Sequence, residues 1–239
     1  SDNDDDNDPT PTPVAKFDVL VDYMVTNNMD VDAVIDGWIT DAGTVNSKGT
    51  DDYHIIDIRQ QADFDAGHIE GAVNAANGAT KPILVVCYTG QTAGHAVCAL
   101  RLSGYADAKV LKWGMSGWRA DLATPWMSNI GDAAIGNASW VAPPGDITPS
   151  AEFSVPVIES SFSEGADILA ERVDALLAGG FNAVGNADVL ATPANYFINN
   201  YWALTDVEHY GHITGAYRIQ PFTLADETYK NLDPSATVV

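Results

Sequence analysis

The sequence predicts an α/β fold with a parallel sheet flanked by helices. Two observations carry this. Short β-branched runs alternate with helical periodicity between Phe17 and Trp118. The run Ile83-Leu84-Val85-Val86 is apolar throughout, as expected of a strand buried on both faces of a parallel sheet.

The elements follow in order. Phe17, Leu20, Val21, Met24 and Val25 recur at helical spacing, which predicts a helix over 16–27. Asp32 to Ile39 reads as a second short helix, and the polar, glycine-containing stretch Gly43 to Asp52 as a loop. His54 to Ile58 and Ile83 to Val86 are strands. A helix is expected from Thr92 to Leu102, closed by Gly104. Lys109 to Trp113 then reads as a strand, followed by a glycine-rich turn through Gly114 and Gly117. Residues 131–160 have the Gly/Pro/Ala/Ser composition of a linker, and a further helix is expected at Gly165–Leu177.

A sequence pattern appears twice. Tyr53 to Ala72 reads YHIIDIRQQADFDAGHIEGA, and Tyr196 to Ala216 reads YFINNYWALTDVEHYGHITGA, with one extra residue in the second copy. A strand precedes the shared GHIxGA close in both. The copies divide the chain into an acidic tail (1–13), a first module (14–130), a linker (131–160) and a second module (161–239).

Charge excludes several function classes. Across 239 residues, 33 Asp and Glu face 11 Lys and Arg, a formal net charge of −22. Such a surface repels phosphate backbones, so no nucleic-acid partner is expected, and anionic membranes are disfavoured likewise. No apolar run reaches the roughly 18 residues of a membrane-spanning helix. Two cysteines make no disulfide framework and no four-ligand zinc site, so neither metal nor cofactor is expected. Five Asp and three Pro fall within residues 1–13, a solvated, extended leader. Leaders of this composition commonly space an anchor or export signal from an exported domain. An extracytoplasmic setting, with any signal segment removed or outside this sequence, is therefore the expectation.

The chemistry centres on Cys87-Tyr88-Thr89-Gly90-Gln91-Thr92-Ala93, between the apolar strand and a helix. The carboxyl end of a parallel strand is where open α/β sheets place their ligands. Backbone N–H groups of the turn and the following helix N-terminus form a cradle for an anion, and stabilise a thiolate. Gly90 supplies the tight curl, and Thr89 and Thr92 add hydroxyls. The pattern fits a nucleophilic Cys87 receiving an anionic substrate.

Together these residues resemble the rhodanese (sulfurtransferase) family. The resemblance rests on Asp57-x-Arg59, Phe64, Gly67-His68-Ile69-x-Gly71-Ala72-x-Asn74, the loop Cys87-x-x-Gly90-x-Thr92-Ala93, and Gly114-Met115 with Trp118. It implies a five-stranded parallel sheet flanked by helices. It also implies attack of Cys87 on a sulfane sulfur, a Cys87 persulfide, and removal of the outer sulfur by cyanide or a thiol. Tyr88, Thr89, Gly90, Gln91, Thr92, Ala93, Arg59 and Asp57 would line the site.

The repeat resembles the second module of tandem rhodaneses. Three departures stand out. Gln91 and Thr92 occupy loop positions near which many relatives have Arg, so the cradle is less cationic. Tyr88 and Thr89 match neither the thiosulfate nor the mercaptopyruvate type, which leaves the donor open. The second copy has Asn200 and Trp202 in place of Asp57 and Arg59, and ends at Thr237-Val238-Val239, read as the counterpart of Leu84-Val85-Val86. The polypeptide is therefore expected to continue, with the remainder of the second module as a partner. Only eight residues separate Asn74 from Ile83, so either residues are missing near 75–80 or a tight loop joins the elements.

Two rival functions share these residues. A non-catalytic persulfide or sulfide carrier would load Cys87 without turnover. A cysteine phosphatase would need an Arg closing a longer loop, where this chain has Ala93-Gly94 and no Arg before Arg101. Asp57 and Arg59 are expected to pair near the site, and His68 and His212 to shape the turn. His95 is a weak candidate for helping a leaving group. Cys98 is expected in the core, since a disulfide to Cys87 needs Cα atoms within about 7 Å. Trp113 reads as packing, with Met115 and Trp118 as rim candidates.

Overall fold

The computed structural model describes residues 15–74, 80–143, 147 and 151–239. The acidic tail, the connection at 75–79 and linker positions 144–146 and 148–150 lie outside the described residues.

The chain opens with α1 (Lys16–Thr26) and the short α2 (Val31–Ile35). The helix expected through Ile39 stops at Ile35, because Asp36-Gly37 turn the chain and Ile39–Thr40 form strand β1. Residues 43–52, expected as a loop, contain α3 (Ala42–Lys48) and a 3-10 turn (Thr50–Asp52). Asp41 caps α3 by accepting from the Thr44 amide, and Val45 is wholly buried, which outweighs the polar composition. Next come β2 (His54–Asp57), α4 (Gln61–Ala66), β3 (Ile83–Val86), α5 (Gln91–Leu102) and β4 (Lys109–Leu111). The expected strand through Trp113 ends at Leu111, and the expected glycine-rich turn is a short helix, α6 (Gly114–Trp118). Then α7 (Thr124–Met127) follows.

The sheet is parallel, in the order β1-β4-β3-β2, and Val73 adds a further parallel bridge to Ile56. The uniform apolarity of β3 has a direct cause. Leu84 and Val86 enter one core with Val45, Ile55, Ile69, Leu111 and Met115. Ile83 and Val85 enter the opposite core with Ile56, Ala93, Val97 and Val110. Both faces are covered, which fixes Cys87 at the end of a strand that has no room to shift register.

Residues 131–160, expected as a linker, include β5 (Trp140–Val141). Beyond them, α8 (Gly165–Gly179) packs on α1 and α5 through Leu20, Ala99, Ile168, Leu169 and Val173. A Cβ on Gly165 would lie 2.3 Å from that of Tyr23, so glycine permits this approach. Next are α9 (Asn186–Ala191), α10 (Leu204–Tyr210) and β6 (His212–Ile213). β5 pairs antiparallel with β6, so the apolar dipeptide inside a Gly/Pro-rich stretch is paired structure. Asp30 accepts from the amides of Leu224 (2.7 Å) and Ala225 (2.9 Å), tying the C-terminal region to α2.

Backbone hydrogen bonds recur between the repeated segments. Asp57 donates to Val73 and Val73 to Ile55; Asn200 donates to Tyr217 and Tyr217 to Ile198. α10 holds seven residues against six in α4, which absorbs the extra residue. Phe197 bridges Val238 in parallel as His54 pairs with Ile83. If the segments are aligned on Phe197 and His54, this register sets Val239 against Leu84, two positions off the expected equivalence of 237–239 with 84–86. A uniformly apolar run carries no internal mark of register, so hydrophobicity alone misplaced it.

Among the described residues no helix is long and apolar enough to cross a membrane.

Candidate active site

Cys87 lies one residue past β3, 7% exposed, under the N-terminus of α5. The Gly90 amide donates to Cys87 Sγ at 3.1 Å. This requires Gly90 at φ +89°, a left-handed backbone that glycine adopts freely. α5 has no side-chain cap, and its first three N–H groups, on Gln91, Thr92 and Ala93, have no acceptor within the helix. The positive end of the helix dipole lies at this end of α5, next to the cysteine turn.

The turn is held from behind. Met115 and Ser116 donate their amides to the carbonyls of Cys87 (2.8 Å) and Tyr88 (2.9 Å). Gly114 makes the approach possible, because a Cβ there would fall 2.2 Å from the Cys87 carbonyl oxygen. The Cys87 and Tyr88 carbonyls are thereby occupied, while the Gly90 amide faces Sγ.

The remaining predicted site residues divide. Thr89 Oγ1 bonds Gln91 Oε1 at 3.1 Å, so these two side chains brace one another on the exposed side of the turn. Thr92 is exposed, while Ala93 is fully buried in the core and offers the site only its backbone. The Tyr88 hydroxyl donates to Asp63 Oδ1 at 2.8 Å, and its ring lies 5.1 Å beneath the Arg59 guanidinium. The Asp63 carboxylate, with burial acting the same way, holds the Tyr88 phenol above its usual pKa.

Asp57 and Arg59 form a buried ion pair at 2.7 Å, each side chain 1% exposed. Arg59 also donates to the Gly67 carbonyl at 2.7 Å, while its Nη1 is buried with no hydrogen-bond partner among the described residues. Burial opposes the Arg59 charge, but the Asp57 carboxylate more than offsets it and raises its pKa. Asn74 donates to the carbonyls of Asp57 (2.6 Å) and Arg59 (2.9 Å), which explains its place in the motif.

Several other expectations are resolved. Cys87 and Cys98 are both free, and burial pushes the Cys98 thiol up. The His95 ring packs edge-on against Phe181, 6.3 Å away, beyond α8. His68 stacks on Phe64 and meets its carbonyl at 2.9 Å, and His212 Nδ1 lies 2.9 Å from the Ile213 carbonyl. Met115 is wholly buried in the core and forms no rim. Two contributors escaped the sequence reading. Asp63 had no motif to mark it, and the Met115 and Ser116 amides act through backbone, which side-chain identity does not reveal. Among the described residues no cluster could hold a metal ion.

A parallel sheet with a cysteine turn at its carboxyl edge defines a class, and comparison with known proteins agrees. Residues 44–121 match the rhodanese-like domain. The chain is 35% identical over 74 residues to the thiosulfate sulfurtransferase GlpE of Shewanella oneidensis, 27% of this chain and 73% of that protein. It is 33% identical over 92 residues to GlpE of Pseudoalteromonas translucida, 34% of this chain and 88% of that protein. It is 33% identical over 84 residues to the uncharacterized protein YibN of Escherichia coli K12, spanning 30% of this chain and 59% of YibN. The chain belongs to the rhodanese-like family.

Proposed function

We propose that this protein is a sulfurtransferase working through a persulfide on Cys87. The single observation that carries the reading is the Gly90 amide on Cys87 Sγ at 3.1 Å, beneath the uncapped N-terminus of α5. The kinship with GlpE supports it. The Cys87 thiolate attacks the sulfane sulfur of thiosulfate or of a persulfide, or the carbon-bound thiol sulfur of mercaptopyruvate, from which the pyruvate enolate would leave. A Cys87–sulfur bond forms as the donor's bond to that sulfur breaks, and the donor's remainder leaves with the electron pair. Cyanide or a thiolate then attacks the outer sulfur and returns Cys87 to the thiolate. The cradle N–H groups of Gly90, Gln91, Thr92 and Ala93 stabilise the negative sulfur at each stage. Tyr88, Thr89, Asp57 and Arg59 position the turn around it.

Residues 14–130 form the active module in this reading, and residues 161–239 a degenerate second copy. The recurring hydrogen bonds at Asn200 and Tyr217 support the kinship of the copies. Asn200 and Trp202 replace the ion-paired Asp57 and Arg59, which gives the second copy a structural role. The acidic leader favours an extracytoplasmic setting.

The test is steady-state formation of thiocyanate from cyanide and a sulfane donor. Turnover by the wild type and its loss in Cys87→Ser support the reading. Retained activity in that variant contradicts it, and a single loading of Cys87 without turnover would favour a persulfide carrier.

A further inference from the structure

Trp113 sits in an unusual backbone conformation beside the cysteine turn. Its φ is +63°, a region that bulky residues rarely adopt and that collects at functional sites. It is 48% exposed, outside the cores that take up its neighbours Leu111 and Met115. Its amide nitrogen lies 3.4 Å from a Cβ built on Gly90, the residue whose own amide holds Cys87 Sγ. The strained residue thus abuts the cysteine turn directly. Its ring meets that of Trp126 at 4.6 Å, and Lys112 Nζ sits 5.4 Å over it.

The cations around the turn are unequal. Positions 88–92 carry none. Arg59 is committed to Asp57 and the Gly67 carbonyl, and Arg119 to Asp121 at 2.5 Å. Among the described residues Lys112 pairs with no carboxylate. One unpaired ammonium over an exposed indole, itself packed on the half-buried Trp126, suits a molecule with a carbon body and a carboxylate. It suits a compact inorganic dianion poorly.

We infer that Trp113 and Lys112 make the protein select a carboxylate-bearing organic persulfide over thiosulfate as sulfur donor. The inference rests on the Cys87 sulfurtransferase reading. The Cys87 thiolate attacks the terminal sulfur of R–S–SH. The Cys87–sulfur bond forms, the R–S to sulfur bond breaks, and R–S⁻ leaves with the electron pair. The proton stays on the transferred sulfur.

The experiment measures single-turnover loading of Cys87 from glutathione persulfide and from thiosulfate, by the mass gain of one sulfur atom. The wild type prefers glutathione persulfide. Trp113→Gly, which suits the positive φ, lowers the ratio of the two rate constants about tenfold, the size of one lost apolar contact in a pocket. Trp113→Phe restores most of the ratio, and Lys112→Gln lowers it about threefold. Circular dichroism checks the fold, and Trp113→Asn substitutes if the glycine variant unfolds, since Asn also tolerates positive φ. A wild-type preference for thiosulfate, or an unchanged ratio in the Trp113 variants, overturns the inference while transfer through Cys87 stands. Failure of both donors to load the wild type overturns the inference and the underlying reading together.

Discussion

The Gly90 amide hydrogen faces Cys87 Sγ at 3.1 Å because Gly114 lets the next strand's turn press against the Cys87 carbonyl from behind. The contact on one side depends on the absent Cβ on the other. Gly114→Ala would place a methyl 2.2 Å from that carbonyl oxygen, at a φ of +54°. The turn must shift or the protein must unfold, at a cost on the order of 2 kcal/mol or more. The expected result is lost sulfur loading with a lowered melting temperature. Wild-type loading in this variant would separate the turn geometry from activity.

The Asp57–Arg59 pair is an all-or-none element. Both side chains are 1% exposed, so removing one partner leaves a buried charge unpaired. Arg59→Met should cost about 3–5 kcal/mol in denaturant unfolding, and the double variant Asp57→Leu with Arg59→Met should recover most of it. A single variant as stable as the wild type would refute the burial argument.

Tyr88 predicts an alkaline limb in stability. Asp63 and burial raise its pKa above the ordinary phenol value of about 10 in the folded state. The neutral phenol is favoured by folding, so this contribution is fully present below pH 10 and is lost as pH rises through the higher folded value. Tyr88→Phe should flatten the stability profile above pH 10. An unchanged slope there would show that the Asp63 contact contributes nothing.

The net charge of −22 opposes any anionic donor before it reaches the cradle. Raising ionic strength shortens the Debye length from about 30 Å at 0.01 M to about 8 Å at 0.15 M. The apparent KM for an anionic donor should fall modestly over that range, with kcat unchanged. A rise would mean that local attraction dominates the whole-molecule field.

The sheet and the Cys87 turn were legible because both leave a mark in residue type. Burial on two faces makes Ile83–Val86 uniformly apolar, and a tight left-handed turn demands Gly90. What escaped depends on context. α3 forms in a polar segment because Asp41 caps it and Val45 fills the core. β5 is two residues long and exists only by pairing with β6, far along the chain. The left-handed backbone of Trp113 was not legible, because periodicity carries no backbone angle and a φ of +63° is visible only in three dimensions. Tyr88 lay on the expected turn, but its partner Asp63 sits on a helix 25 positions earlier, with no spacing rule to link them.

The central claim is that Cys87 carries the sulfur. Incubation with a sulfane donor, proteolysis under non-reducing conditions and peptide mass spectrometry locate the added atom. The account predicts one extra sulfur on the peptide containing Cys87, none on Cys98, whose thiol burial keeps protonated, and its removal by cyanide as thiocyanate. Sulfur on Cys98, or a Cys87 peptide left unmodified while thiocyanate still forms, would contradict it.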